Sequence, residues 1–188
     1  MIKKVCYISI ILAFCLLVSG CVSKINTLTS DVDKPIDADT GYLLISISTN
    51  FPLHSINISG KKNLRLSADD LTAGSKYILV DVPAGRYNIA RIKYNNFLYL
   101  TLDEEFWTFD VQANEISYVG NLDIYTNLNV IWQRAGQPLL KNRSSDAMQF
   151  MELNFPTILA ARQLRYRGPG EDNFFKFLEQ LDLSQVHP

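Results

Sequence analysis

The chain has 188 residues, 47% of them hydrophobic and 20% charged, with a formal net charge of −1. That hydrophobic fraction excludes a disordered chain, and the near-neutral balance excludes a nucleic-acid binder that works by neutralising phosphates. The length fits one domain. Met1-Ile2-Lys3-Lys4 is a short basic start, and an almost unbroken apolar run of 14 residues, Val5 to Val18, follows it. A permanent transmembrane helix needs roughly 20 residues. A basic start plus a shorter run is the pattern of a secretory signal peptide over 1–20, with the two lysines held on the cytoplasmic side.

The run ends in Val18-Ser19-Gly20-Cys21. This resembles the bacterial lipobox, an aliphatic residue and two small residues before a cysteine. The resemblance implies that the Cys21 thiol accepts a diacylglyceryl group and that Cys21 becomes the first residue of the mature chain. Val22 follows it. By the sorting rule of Gram-negative lipoproteins, Asp at that place retains the protein at the inner membrane. Val22 therefore implies lipid attachment to the periplasmic face of the cell outer membrane, if the host is Gram-negative. The other cysteines, Cys6 and Cys15, leave with the signal peptide. An exported domain without a free thiol has no disulfide to support it and must rest on its core.

Residues 21–39 read as the lipidated cysteine and a flexible tether. The segment carries Ser, Thr, Asp and Asn without a clear period, and 18 extended residues reach at most about 60 Å. From Gly41 the pattern turns to β. Strands are expected at Tyr42–Thr49, His54–Ser59, Tyr77–Val82, Tyr87–Ile92, Phe97–Leu102, Trp107–Val111, Ile116–Thr126 and Asn129–Gln133. Gly60-Lys61-Lys62-Asn63 reads as a turn. Short strands at this spacing predict a mainly β fold, an antiparallel sandwich of about seven or eight strands over 40–143. Two hairpins are expected. A turn at Ala84-Gly85 pairs Val82 with Tyr87 and Val80 with Ile89. A four-residue loop pairs Leu102 with Trp107, Leu100 with Phe109 and Leu98 with Val111. Each register gathers apolar residues on one face.

The period changes over 144–188, which reads as a helical tail. Asp146 and Gln149 have capping-box spacing, and Pro156 limits that helix. Glu171 to Leu183 carries an amphipathic stripe of Phe174, Phe175, Phe177, Leu178 and Leu181. These residues are too few for a core of their own, so the tail is expected to dock on the sandwich, with the face bearing Phe97 and Tyr99 as its receiver.

Val82-Pro83-Ala84-Gly85-Arg86-Tyr87-Asn88-Ile89 resembles a V-P-x-G-x-Y-x-I hairpin of transthyretin-like and carboxypeptidase-regulatory-like β-sandwiches, and of a domain of unknown function in bacterial lipoproteins. Val111 to Gly120 is similar to that family's next pair of strands. The resemblance spans about 40–125. It implies a seven- or eight-strand sandwich and brings no catalytic residues.

Constellations that carry chemistry are sparse. His54 and His187 are the two histidines, without metal-ligand spacing. Asp69-Asp70 and Asp103-Glu104-Glu105 fall in expected turns. No Gly-x-Ser-x-Gly, phosphate loop or dinucleotide fingerprint occurs. No catalytic residue, metal or cofactor is therefore assigned. Two surface patches are candidate contacts for a ligand or partner. Phe97, Tyr99 and Phe106 form an aromatic strip able to stack on sugars or take a protein partner. Arg162, Arg165 and Arg167 form a basic patch, with 162 and 165 on one face of an expected helix, suited to anionic headgroups. The leading expectation is a non-enzymatic, lipid-anchored envelope protein that serves as a structural or protein-interaction module. Its partners are the membrane through Cys21 and an envelope protein or glycan, with no nucleic acid. The alternative is a carbohydrate- or peptidoglycan-binding module that uses the aromatic strip.

Overall fold

The computed structural model describes residues 23–125 and 137–185. Cys21, the signal segment, the expected strand at Asn129–Gln133 and His187 lie outside the described residues, as does the side chain of Leu181. The fold is mainly β: two sheets face each other across a core, with short helices on the outside of one of them. The first sheet runs β1 (Ser23–Lys24), β4 (Leu64–Ser67), β3 (Ser55–Gly60), β6 (Gly85–Lys93), with β7 (Tyr99–Thr101) and β8 (Thr108–Val111) both on the far side of β6. The second runs β10 (Leu139–Lys141), β9 (Ile116–Ile124), β2 (Thr40–Thr49), β5 (Gly74–Pro83), with β11 (Leu164–Tyr166) also on β9. Most pairs are antiparallel, but β1–β4, β2–β9 and β11–β9 are parallel. The helices are α1 (Glu104–Trp107), α2 (Ser144–Asn154), α3 (Pro156–Ala161) and α4 (Asn173–Gln185). No helix among the described residues is long and apolar enough to cross a membrane.

Both expected hairpins are corrected, although their apolar faces hold. β5 pairs with β2 in one sheet and β6 pairs with β3 in the other. Pro83-Ala84-Gly85 is therefore a corner between sheets, with Gly85 at φ +155°, a torsion L side chains rarely adopt. Val82, Val80, Tyr87 and Ile89 do meet in one core, but across the sandwich rather than across a turn. Likewise β7 and β8 do not pair with each other. Both lie along β6, Leu100 opposite Ile92 and Phe109 opposite Tyr87, and α1 interrupts the line between them. Period-2 alternation fixes which side of a strand is apolar. It does not fix whether the apolar partner sits beside the strand or across the core.

The outer face of the second sheet divides in two. Tyr42, Leu44, Leu79, Ile116 and Tyr118 are apolar and buried under Ala147, Met151, Phe155, Ile158, Leu164 and Phe175. The tail thus docks on this sheet, and not on the face bearing Phe97 and Tyr99. The cap at the start of α2 also differs from expectation. Asn142 Oδ1 accepts from the Ser144 amide (3.0 Å) and hydroxyl (2.6 Å), and Asp146 lies within the first turn. Pro156 ends α2 and opens α3. Higher on β9, a bulge at Gly120 (φ +123°) flips the alternation. Tyr118 faces the helices below it. Above it Leu122 and Ile124 turn into the inter-sheet core, and Asn121 and Asp123 turn outward.

Residues 23–39 are not a free tether. The Ser23 amide donates to Asn63 O (3.0 Å) and the Ile25 amide to Arg65 O (3.1 Å), while the Ile25 side chain is buried in the core. The Leu28 amide then donates to Leu79 O on the edge strand β5 (2.8 Å), and Leu28 and Ile36 pack against the second cluster. The strap covers one open side of the sandwich and satisfies the edges of both sheets.

Candidate functional site

The three aromatic side chains singled out in the sequence remain in solvent, as do Tyr125 and Phe177. Phe97 is 93% exposed, Phe106 64% and Tyr99 55%. Phe97 is presented by an Asx turn: Asn95 Oδ1 accepts from the amides of Phe97 and Leu98, both at 2.8 Å. Tyr99 follows on β7, where its ring lies 4.8 Å from the Arg91 guanidinium carbon, a cation–π contact. Phe106 stands on α1, which Asp103 caps by accepting from the Glu105 amide (3.0 Å). The aromatic strip read from the sequence is thus uncovered, and it edges the outer face of the first sheet.

That outer face has a chemistry the sequence did not disclose. Strand register puts Lys24, Arg65, Asn57, Arg91 and Thr101 in one row across five strands. The next row toward the top is Ser67, Ser55, Lys93 and Tyr99. Arg86 and Asn88 lie toward the other end of β6, opposite Asp110 and Thr108. Lys24 pairs with Asp69 (3.3 Å). Among the described residues, the salt bridges leave Arg65, Arg86, Arg91 and Lys93 without a carboxylate. Three buried polar atoms on this face, Ser55 Oγ, Asn57 Oδ1 and Asn88 Oδ1, have no hydrogen-bond partner. A cleft of about 500 Å³ lies between the end of β3, the start of β6 and α1, lined by Ser59, Arg86, Asn88, Glu104, Glu105 and Thr108.

The three arginines of the tail are placed differently. Arg162 closes α3 and Arg165 lies in β11, so they do not share a helix face. Arg162 donates to Asp33 (Nε–Oδ1 2.8 Å) and to Asn114 Oδ1 (3.2 Å), and it lies over the Tyr42 ring. Arg167 makes two 2.7 Å bonds to the Glu115 carboxylate, which raise its affinity for the proton. Arg165 donates to Gln163 (3.0 Å). Arg162 and Arg167 fasten the strap and the β8–β9 turn to the tail, so their charge is locally neutralised.

A second polar cleft, about 290 Å³, opens on the upper part of the second sheet beside α2. Ser46 Oγ (2.6 Å) and Ser48 Oγ (3.2 Å) both donate to Asn121 Oδ1. Asn121 in turn donates to Asp123, which pairs with Lys141 (2.7 Å). Ser46 donates to an amide oxygen, which is no general base, and Ser48 lies 2.8 Å from the Ser75 hydroxyl, so this hydrogen-bonded series sets no general base against either serine. The acidic pairs are also engaged: Asp70 accepts from the Ser67 amide and hydroxyl (3.2 and 3.0 Å). His54 Nε2 lies 3.5 Å from Arg65. Among the described residues, no group of three or more His, Cys, Asp or Glu side chains is placed to hold a metal ion. Compared with known protein families, curated proteins and solved structures, the chain matches none.

Proposed function

We propose that this chain is a lipid-anchored cell-envelope protein, a non-enzymatic sandwich domain held at the periplasmic face of the outer membrane as an interaction module, with a transthyretin-like hairpin motif reused as a corner between sheets. The observation that carries the reading is Val18-Ser19-Gly20-Cys21 directly after a 14-residue apolar run. Two acyl chains suffice for stable anchoring where one does not. The pinned strap adds a geometric consequence. Cys21 precedes β1 by one residue, Val22, so the anchor lies within about 7 Å of chain from a strand fixed beside Asn63. The domain then rests against the headgroups at its β3–β4 turn, instead of standing off by a long tether.

Cys21→Ser tests the reading. The expected result is an unprocessed precursor, no acylated N-terminal peptide and loss from the membrane fraction. Normal processing and envelope fractionation of that variant would overturn the anchor. The exposed Phe97, Tyr99 and Phe106 favour a second reading, a carbohydrate-binding module, because solvated aromatic rings are the surfaces on which sugar faces stack.

A further inference from the structure

We propose that the outer face of the first sheet is a binding site for an anionic glycan, a sugar polymer bearing carboxylates or phosphates. The proposal rests on the carbohydrate reading and names its ligand class and residues. It does not rest on the lipid. Charge distribution is the first argument. Without Lys3 and Lys4 the chain has 16 basic against 19 acidic side chains, yet Arg65, Arg91 and Lys93 gather on this one face without carboxylate partners, away from the other end of β6, where Arg86 lies near Asp110, Glu104 and Glu105. An acidic protein that concentrates unpaired cations on one sheet face presents a local field for anions. Arg65 and Arg91 flank Asn57 on neighbouring strands, which sets them on the order of 10 Å apart, a span suited to charges repeated along a polymer.

The unpartnered atoms are the second argument. Ser55 Oγ, Asn57 Oδ1 and Asn88 Oδ1 are buried and unsatisfied, a state that costs stability unless something supplies the missing bond. Sugar hydroxyls donate and accept, so they satisfy both the amide oxygens and the serine. The third argument is the aromatic edge. Tyr99 is held under Arg91, and Phe97 stands beside it, where a sugar ring can stack while its acid group reaches the guanidinium. The anchor adjoins the β1 edge of this sheet, and the aromatic edge lies at its opposite side. From Tyr87, opposite Gly60 at the anchored turn, β6 runs about 20 Å to Lys93, and Phe97 lies beyond that end.

The test uses the full-length mature protein in detergent, with polygalacturonate and peptidoglycan sacculi as carboxylated glycans, neutral dextran as control, and phosphatidylglycerol vesicles to separate a lipid partner. Binding to a carboxylated glycan, weakened by salt and absent with dextran, is the expected result. Arg91→Gln should weaken it roughly tenfold, and Arg65→Gln with Arg91→Gln should abolish it. Asn57→Ala should weaken glycan binding while leaving the melting temperature unchanged or higher, because it removes an unsatisfied atom. A merely structural Asn57 would give the opposite pair of readings. Equal binding of the wild type and the double arginine variant would overturn the proposal, as would binding to vesicles and to neither glycan. Loss of membrane attachment in Cys21→Ser with glycan binding retained would sink the anchor reading alone.

Discussion

Asp31 shows how much one side chain on the strap does. Its carboxylate accepts from the Thr157 amide (2.8 Å) and the Ile158 amide (3.1 Å), so it caps α3 from 126 residues away in sequence. Desolvation tends to raise its pKa, but the amide bonds prevail and hold it below the ordinary carboxylate value. A depressed pKa means that the carboxylate stabilises the fold above its unfolded value, near 3.9, and that this contribution fades as pH falls through the lower folded value. Asp31→Asn should therefore lower the melting temperature at pH 7, and the difference from wild type should vanish at strongly acid pH. A deficit that persists unchanged at acid pH would place its origin elsewhere. Arg162 is the companion fastening, 11% exposed against the 23% of Asp33. Arg162→Ala should cost about 1–3 kcal/mol in urea unfolding, because it leaves a half-buried carboxylate with an unanswered bond.

Among the elements, α4 and β9 carry opposite kinds of information. In α4 the stripe read from the sequence does face the sheet, but unequally: Phe175 is 7% exposed and Phe177 55%. Phe175→Ala should cost about 3–5 kcal/mol, and Phe177→Ala should stay within about 0.5 kcal/mol. Met151→Ala, fully buried on α2, should cost about 2–5 kcal/mol. If Phe175→Ala and Met151→Ala both leave the unfolding midpoint unchanged, the tail does not stabilise the sandwich. In β9 the decisive residue is Gly120. A Cβ there would meet Leu140 Cδ1 at 3.0 Å and Lys141 O at 3.1 Å, at φ +123°. Gly120→Ala should destabilise the fold by about 1–3 kcal/mol, and it should disturb the Asn121–Asp123–Lys141 chain that depends on the flipped alternation.

For the whole molecule, the proposed anchor at Cys21 makes the strap the element that sets orientation at the membrane. On the proposed processing, which removes Cys6 and Cys15 and lipidates Cys21, an introduced cysteine is the one free thiol. A fluorophore on Lys62→Cys, in protein anchored to vesicles, should be quenched by headgroup-labelled lipid. The same fluorophore on Phe97→Cys, at the far end of β6, should not be. Equal quenching at both positions would mean that the domain lies on its side, with the aromatic edge against the bilayer. The expected arrangement keeps the basic, aromatic face open along its length.

Sequence alone determined the mainly β class, the faces of most strands and the helical tail, because alternation, helical stripes and turn chemistry are local properties of neighbouring residues; that Phe97 and Tyr99 stay in solvent was decided by the tail docking on the other sheet. Val82, Val80, Tyr87 and Ile89 were recognisable as core residues from alternation. That they meet across two sheets followed only from the corner at Pro83–Gly85, since pairing is a choice among distant partners of similar chemistry. The strap was illegible because its few apolar residues, Ile25, Leu28 and Ile36, lack a period, and its acids find their partners more than 100 residues on. The basic face was illegible for the same reason. Arg65, Asn57 and Arg91 sit on three strands, and only the tertiary register of β4, β3 and β6 sets them side by side.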